Sequence, residues 1–279
     1  MRTLAKPAFG AREVFLECIS IVRDRMLKQD LTDCTDIIEV AESDFNTKFP
    51  LLLIHEIPRG LIVRGRIDVE EMKKVYNDRM VKETVPGYKY YSALRLSAPH
   101  GKCPFCGVRG VDTLDHYLPK TLYPIYAITP INLVPSCTPC NKGKRVVFPT
   151  NDINQTLHPY YDNVEVATCI KARLLDGSNE SFEYYIDCPA EWAQILKDRV
   201  HNHFDSYNLN ELYSSHAGEE LRGIKKQLRK LYNIDPAVLL DYLNDCYDSR
   251  LDLGRNSWQA AMYRALLEND LFTTGGVLL

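Results

Sequence analysis

Four of the nine cysteines stand in two tight pairs, Cys103-Pro-Phe-Cys106 and Cys137-Thr-Pro-Cys140. A Cys-x-x-Cys turn points two thiolates at one centre, and two such turns fill the tetrahedral shell of Zn²⁺. An ion saturated by four thiolates has no open position for water, so this Zn²⁺ is expected to be structural. The gap of about thirty residues between the pairs exceeds that of a compact finger, which predicts a hairpin and loop inserted between the knuckles. The competing reading is a pair of redox dithiols or unpaired core thiols. Neither pair follows a strand in a thioredoxin-like pattern, which favours the metal. The other cysteines (Cys18, Cys34, Cys169, Cys188 and Cys246) are scattered, as buried thiols are in a reducing compartment.

Between the knuckles runs Leu114-Asp-His-Tyr-Leu-Pro-Lys120, and the second knuckle is embedded in Asn132-Leu-Val-Pro-Ser-Cys-Thr-Pro-Cys-Asn-Lys-Gly-Lys144. The succession of Asp115-His116, Asn132 and Asn141 around a cysteine pair resembles the HNH (ββα-metal) endonuclease family. That family's pattern has Asp-His at the end of one strand, Asn after the hairpin, and His or Asn on the following helix. Asparagine at the third place is a known variant. The resemblance implies hydrolysis of phosphodiesters, which needs an activated water and a divalent cation to stabilise charge on the phosphate and leaving group. It makes His116 the general base, an imidazole that titrates near neutral pH. It gives Asp115 and the amide oxygen of Asn141 one Mg²⁺ or Mn²⁺, ions that prefer oxygen ligands. Asn132 is expected to pin the loop that orients His116.

The wider wording of this segment, a later His158-Pro-Tyr-Tyr-Asp162 and the helical flanks look like the PtuB nucleases of Septu-type antiphage systems and related retron-linked systems. Those nucleases act with an ATPase partner, PtuA, so the resemblance implies a bacterial defence effector held in check by a partner. The formal net charge of −3 suits that reading, because a free-standing DNA binder displays a basic excess. DNA is the expected substrate. The alternatives are a stand-alone HNH nuclease of another role, a tRNA- or RNA-cleaving effector, and a zinc module that binds nucleic acid without cutting it.

Several neighbouring residues carry weaker signals. Lys142, Lys144 and Arg145 follow Asn141 directly and could neutralise phosphates on either side of a scissile bond, or be a solvated face. Lys120 is a fainter case of the same kind. His158 reads as a core or loop histidine with a tether short enough to reach the metal or a phosphate. His201-Asn202-His203 spells the family's name, but adjacent residues on a helix point in different directions, and it reads as ordinary helix surface. The segment 219–231 sets Arg222, Lys225, Lys226, Arg229 and Lys230 opposite Leu221, Ile224, Leu228 and Leu231, a basic face for nucleic acid or an acidic partner, or a solvated one.

These residues need elements to hold them. Residues 11–49 carry apolar positions at helical spacing, interrupted over 28–35 by polar residues, which predicts two helices. A helix over 68–84 opens on an aspartate cap and stops before Pro86-Gly87, and a short one covers 88–98. Residues 163–187 alternate apolar and polar around Asp176-Gly177-Ser178-Asn179, a hairpin signal. Helices then follow over 192–204, 210–231, 236–249 and 257–271. The chain of 279 residues, 45% hydrophobic, is long enough for this. The expected class is α+β: a helical region over 1–99, a zinc-stabilised ββα-metal module over 100–162, and a hairpin with helices over 163–279. No apolar run reaches the length of a membrane span and the first residues do not read as a signal peptide, so a cytoplasmic location without membrane partners is expected.

Overall fold

The polar segment over 28–35 that interrupts the apolar periodicity is largely helical. In the computed structural model, which describes residues 1–144, 149–175 and 181–276, the N-terminal stretch forms three helices where the spacing predicts two. They are α1 (Ala11–Ile19), α2 (Arg25–Thr32) and α3 (Thr35–Lys48). Helix α2 buries only Leu31, so it has no apolar stripe to read; its start is set by Asp24, whose carboxylate accepts the Leu27 N–H at 2.9 Å. A small hairpin, β1 (Ile62–Arg64) and β2 (Ile67–Asp68), leads into α4 (Val69–Arg79) and then α5 (Tyr88–Leu96). The aspartate cap of α4 is Asp68, accepting from the Glu71 N–H at 3.0 Å. Helix α5 starts at Gly87 for a steric reason. A Cβ there would sit 2.3 Å from the Arg79 carbonyl oxygen and 2.6 Å from the Cys18 sulfur.

The remaining elements are β3 (Thr113–His116), β4 (Leu133–Ser136), α6 (Thr138–Lys144), β5 (Ile170–Leu174), β6 (Phe182–Ile186), α7 (Gln194–Ser206), α8 (Leu209–Ile234), α9 (Pro236–Leu253), α10 (Trp258–Leu267) and α11 (Asp270–Thr273). The class is α+β, about half helical, and among the described residues the strands form three two-stranded antiparallel sheets. The last expected helix is divided because Asn269 caps α11, accepting from Phe272 N–H at 2.8 Å. The turn residues 176–179 lie outside the described residues. Among the described residues no helix is long and apolar enough to cross a membrane.

The chain divides into two compact units, Arg2–Asp162 and Asn163–Leu279. Regions 1–99 and 100–162, separate in the sequence reading, therefore share one unit. One core joins Phe15, Ile19, Met72, Val75 and Leu94 of the helices to Leu114, Ala127, Ile128 and Leu133. A second joins Phe45, Phe49 and Ile54 to Tyr117, Leu118, Tyr126 and Ile131. Each fully buried Leu or Phe here contributes about 1.5–3 kcal/mol. The cysteine-bearing segment is too small to bury its own apolar side chains, and the helices supply the other half of its core.

In the second unit, β5 and β6 pair from Ile170 opposite Ile186 to Leu174 opposite Phe182. Their inner residues pack on α8 and α10. Buried Asn256 ties the approach to β5, accepting from Cys169 and Ile170 N–H at 2.7 and 3.1 Å and donating to the Val164 and Ala167 carbonyls at 2.8 and 2.9 Å.

Candidate metal centre and histidine site

The first knuckle is closed by Gly107, whose N–H donates to the Cys103 carbonyl at 2.7 Å with φ at +69°, a conformation that favours glycine. The second knuckle opens α6, where the Asn141 N–H donates to the Cys137 carbonyl at 3.0 Å. Together they bring the sulfurs of Cys103, Cys106, Cys137 and Cys140 within 4.8 Å of one another, all buried. Four Zn–S bonds of about 2.3 Å in a tetrahedron require sulfurs about 3.8 Å apart. Cys106 and Cys137 are 4.0 Å apart. Hydrogen bonds among the sulfurs pull the Cys106 and Cys137 thiols down and push Cys103 and Cys140 up. Four thiolates coexist in so small a buried space only around a cation, so the donor set fits a structural ion such as Zn²⁺.

Strand β3 runs antiparallel to β4 with Asp115 opposite Val134 and His116 opposite Leu133, and α6 follows β4 and packs against β3. Asp115 and His116 are nearly covered, 4% and 8% exposed. His116 Nε2 lies 2.9 Å from the Ala127 carbonyl oxygen. A carbonyl only accepts, so Nε2 carries a hydrogen toward it.

Asn132 fixes that carbonyl's loop. Its Oδ1 accepts from Leu118 N–H at 2.7 Å, and its Nδ2 donates to the carbonyls of Leu118 and Tyr126 at 3.1 Å each. Tyr126 directly precedes Ala127, so one buried amide holds the loop at both of its ends. Asn141, half-buried on α6, directs Nδ2 toward the Leu114 carbonyl at 3.5 Å, which sets it beside β3 next to Asp115. Asp115 and Asn141 are therefore carried by two packed elements, β3 and α6.

His158 departs from its expected reach toward a metal or phosphate. It is fully buried, its Nδ1 accepts from Tyr160 N–H at 3.1 Å, and its Nε2 therefore donates to the Ile131 carbonyl at 3.1 Å. Its ring sits among Phe49, Tyr117 and Tyr161. With both nitrogens bound to backbone, this geometry presents no donor to an ion. The rest of that segment is also a clasp: Asp162 accepts the His158 N–H at 2.7 Å and Tyr160 donates to the Leu133 carbonyl at 3.0 Å.

Lys142 is exposed, while the Lys144 side chain and Arg145 lie outside the described residues. Arg222, Lys226, Arg229 and Lys230 are on the exposed face of α8 and Leu221 and Leu228 are buried, while Lys225, Ile224 and Leu231 of the pattern over 219–231 are half-buried. His201 is exposed and His203 buried, on different faces of α7.

Tyr76 of α4 is the neighbour that sequence reasoning did not connect to this site. Its ring centroid lies 4.5 Å from that of His116 at 70°. Lys120 Nζ lies 4.5 Å from the same Tyr76 centroid, over the ring. Burial pulls the Lys120 ammonium below the ordinary lysine range, Lys73 adds to this, and Asp115 opposes it. Burial also pushes the Tyr76 hydroxyl up. Tyr76 reads in sequence only as one apolar position of a helix, and its separation from His116 along the chain gives no local signal.

No protein-family description and no solved structure matches the chain. The sequence is similar to Protein ea31 of Escherichia phage lambda, with 29% identity over 236 residues, 79% of each chain.

Proposed function

We propose that the chain is a metal-dependent endonuclease of the HNH (ββα-metal) type that hydrolyses DNA. The observation that carries the reading is His116 at the end of β3, with Nε2 tied to the Ala127 carbonyl and Asp115 as its chain neighbour, on a strand–strand–helix unit beside a four-cysteine cluster. In this role His116 Nδ1 takes the proton of the attacking water, and the Ala127 carbonyl stabilises the imidazolium that results. Asn132 holds that carbonyl in register. Asp115 and Asn141 are the oxygen ligands for Mg²⁺ or Mn²⁺, which when bound supplies charge for the phosphate and leaving oxygen. The near-complete burial of Asp115 and His116 keeps these charges in a low-dielectric setting, where each counts for more. The cysteine cluster, with Zn²⁺ bound, would anchor the Thr113–Ser136 end of the β3–β4 unit and take no part in the chemistry.

The biological reading is an antiphage effector that works with an ATPase partner like PtuA. It is supported by the wording of the 114–144 segment and by the near-neutral net charge, which leaves nucleic-acid grip or control to a second subunit. The test is plasmid cleavage in Mg²⁺ by the chain alone and together with a PtuA-like ATPase. His116→Ala, with zinc content unchanged, is expected to lower cleavage at least about 100-fold. Equal cleavage by the two proteins would remove His116 from the chemistry and the assignment with it.

A further inference from the structure

We propose that Lys120 and Tyr76 belong to the nucleic-acid cleft of the same site: Lys120 holds a phosphate oxygen of the strand beside His116, and Tyr76 positions both groups. The inference rests on the nuclease reading above and extends the site beyond the cysteine-bearing segment, to a helix that precedes it.

Tyr76 is 6% exposed, and its ring is shared by two groups, with His116 edge-on to it and the Lys120 ammonium over it, each at 4.5 Å. An ammonium is drawn to the face of an aromatic ring, so the ring that His116 packs against also holds Lys120. The backbone beneath Lys120 is fixed as well. Leu118 is bound at both its N–H and its carbonyl by Asn132, and the Pro119 carbonyl accepts from Leu122 and Tyr123 N–H at 2.9 Å each. A flexible side chain is thus mounted on a rigid stem four residues after His116.

Charge gives the direction. Lys120 is half-buried, and among the described residues no carboxylate forms an ion pair with it. A partly desolvated ammonium that Asp115 reaches only through space is costly to keep, and a phosphate oxygen offsets that cost through a charge-assisted hydrogen bond. Asp115, His116 and Tyr76 are nearly covered whereas Lys120 is not, so a polyanion approaching the histidine meets Lys120 first. The ligand class is a nucleic-acid phosphodiester.

The test measures two properties of the purified chain: affinity for a DNA duplex in Ca²⁺ across a salt series, and cleavage in Mg²⁺ with the ATPase present. Lys120→Met is expected to reduce the slope of log affinity against log salt by about one, the signature of one lost phosphate contact, with Lys120→Arg restoring it. Cleavage by Lys120→Met should fall at least about 10-fold, carried mainly in KM. Tyr76→Phe should retain the wild-type pH–rate profile, and Tyr76→Leu should shift it as His116 and Lys120 lose their common support. Should Tyr76→Leu fail to fold, the Lys120 pair decides alone. A Lys120→Met chain with wild-type salt slope and cleavage, while His116→Ala is inactive, would overturn the proposal and leave the nuclease reading standing. A wild-type chain that binds no DNA, with His116→Ala cleaving as wild type does, would overturn both.

Discussion

The hairpins β3–β4 and β5–β6 are of similar length and opposite construction. In β5 buried and exposed residues alternate strictly, with Ile170, Ala172 and Leu174 inward and Lys171 and Arg173 outward. The pair β3–β4 has almost no outer face, since every residue but Thr113 is buried, Asp115 and His116 among them. A hairpin with one wet face holds its register through its own alternation. One covered on both faces, with charge inside, needs external fixing, and β3–β4 has it in the cysteine cluster at one end and Asn132 at the other. Covering a carboxylate and an imidazole is expensive unless they are paired, so the first hairpin depends on the polar partners of Asp115 and His116 in a way the second does not.

The largest contrast should come from metal. Cys140→Ser is expected to abolish bound zinc and with it a binding free energy on the order of 10 kcal/mol. Hydrogen exchange should then show loss of protection in β3, β4 and α6 while β5, β6 and α8 remain protected. Full protection of β3 in a zinc-free chain would break the contrast. The next effect compares the two buried asparagines. Asn132→Ala strands the Leu118 carbonyl and N–H and leaves the Tyr126 carbonyl only the Thr129 N–H in the first unit, and Asn256→Ala strands two carbonyls and two N–H groups in the second, so each should cost about 3 kcal/mol in denaturant unfolding. Their activities should separate: cleavage should fall with Asn132→Ala at temperatures where the chain is still folded, because the Ala127 carbonyl loses its support, and should not respond to Asn256→Ala.

The smallest effects test the faces directly. Val134→Thr puts a hydroxyl in a fully buried position of β4 and should cost about 2 kcal/mol. Arg173→Ser, on the exposed face of β5, removes only a surface pair with Glu183 and should change stability by less than about 0.5 kcal/mol. Equal costs at the two positions would mean that the burial difference does not govern these hairpins.

Much of this was legible in the chain because it is local. Two Cys-x-x-Cys turns specify a four-sulfur cluster whatever lies between them, since each turn aims its own thiolates. The Asp68 cap and the 3.6-residue stripe of α8 likewise depend on residues within one or two turns of one another, whereas the helix expected over 68–84 ends at Arg79, before the Pro86-Gly87 break. Helix α2 escaped because it buries a single side chain and has no stripe, and the short hairpin β1–β2 because two or three residues carry no measurable alternation.

The tertiary structure decided what depends on distant partners. Which backbone groups a histidine meets is set by where carbonyls and N–H groups of other segments fall. His158 meets Ile131 and Tyr160, and His116 meets Ala127 through Nε2. The place of Tyr76 between His116 and Lys120, and the shared core that joins the N-terminal helices to the cysteine-bearing segment, follow from packing across tens of residues. The residue types determined which chemistry was available. Only the packed chain, by bringing distant segments together, determined which partners those residues have.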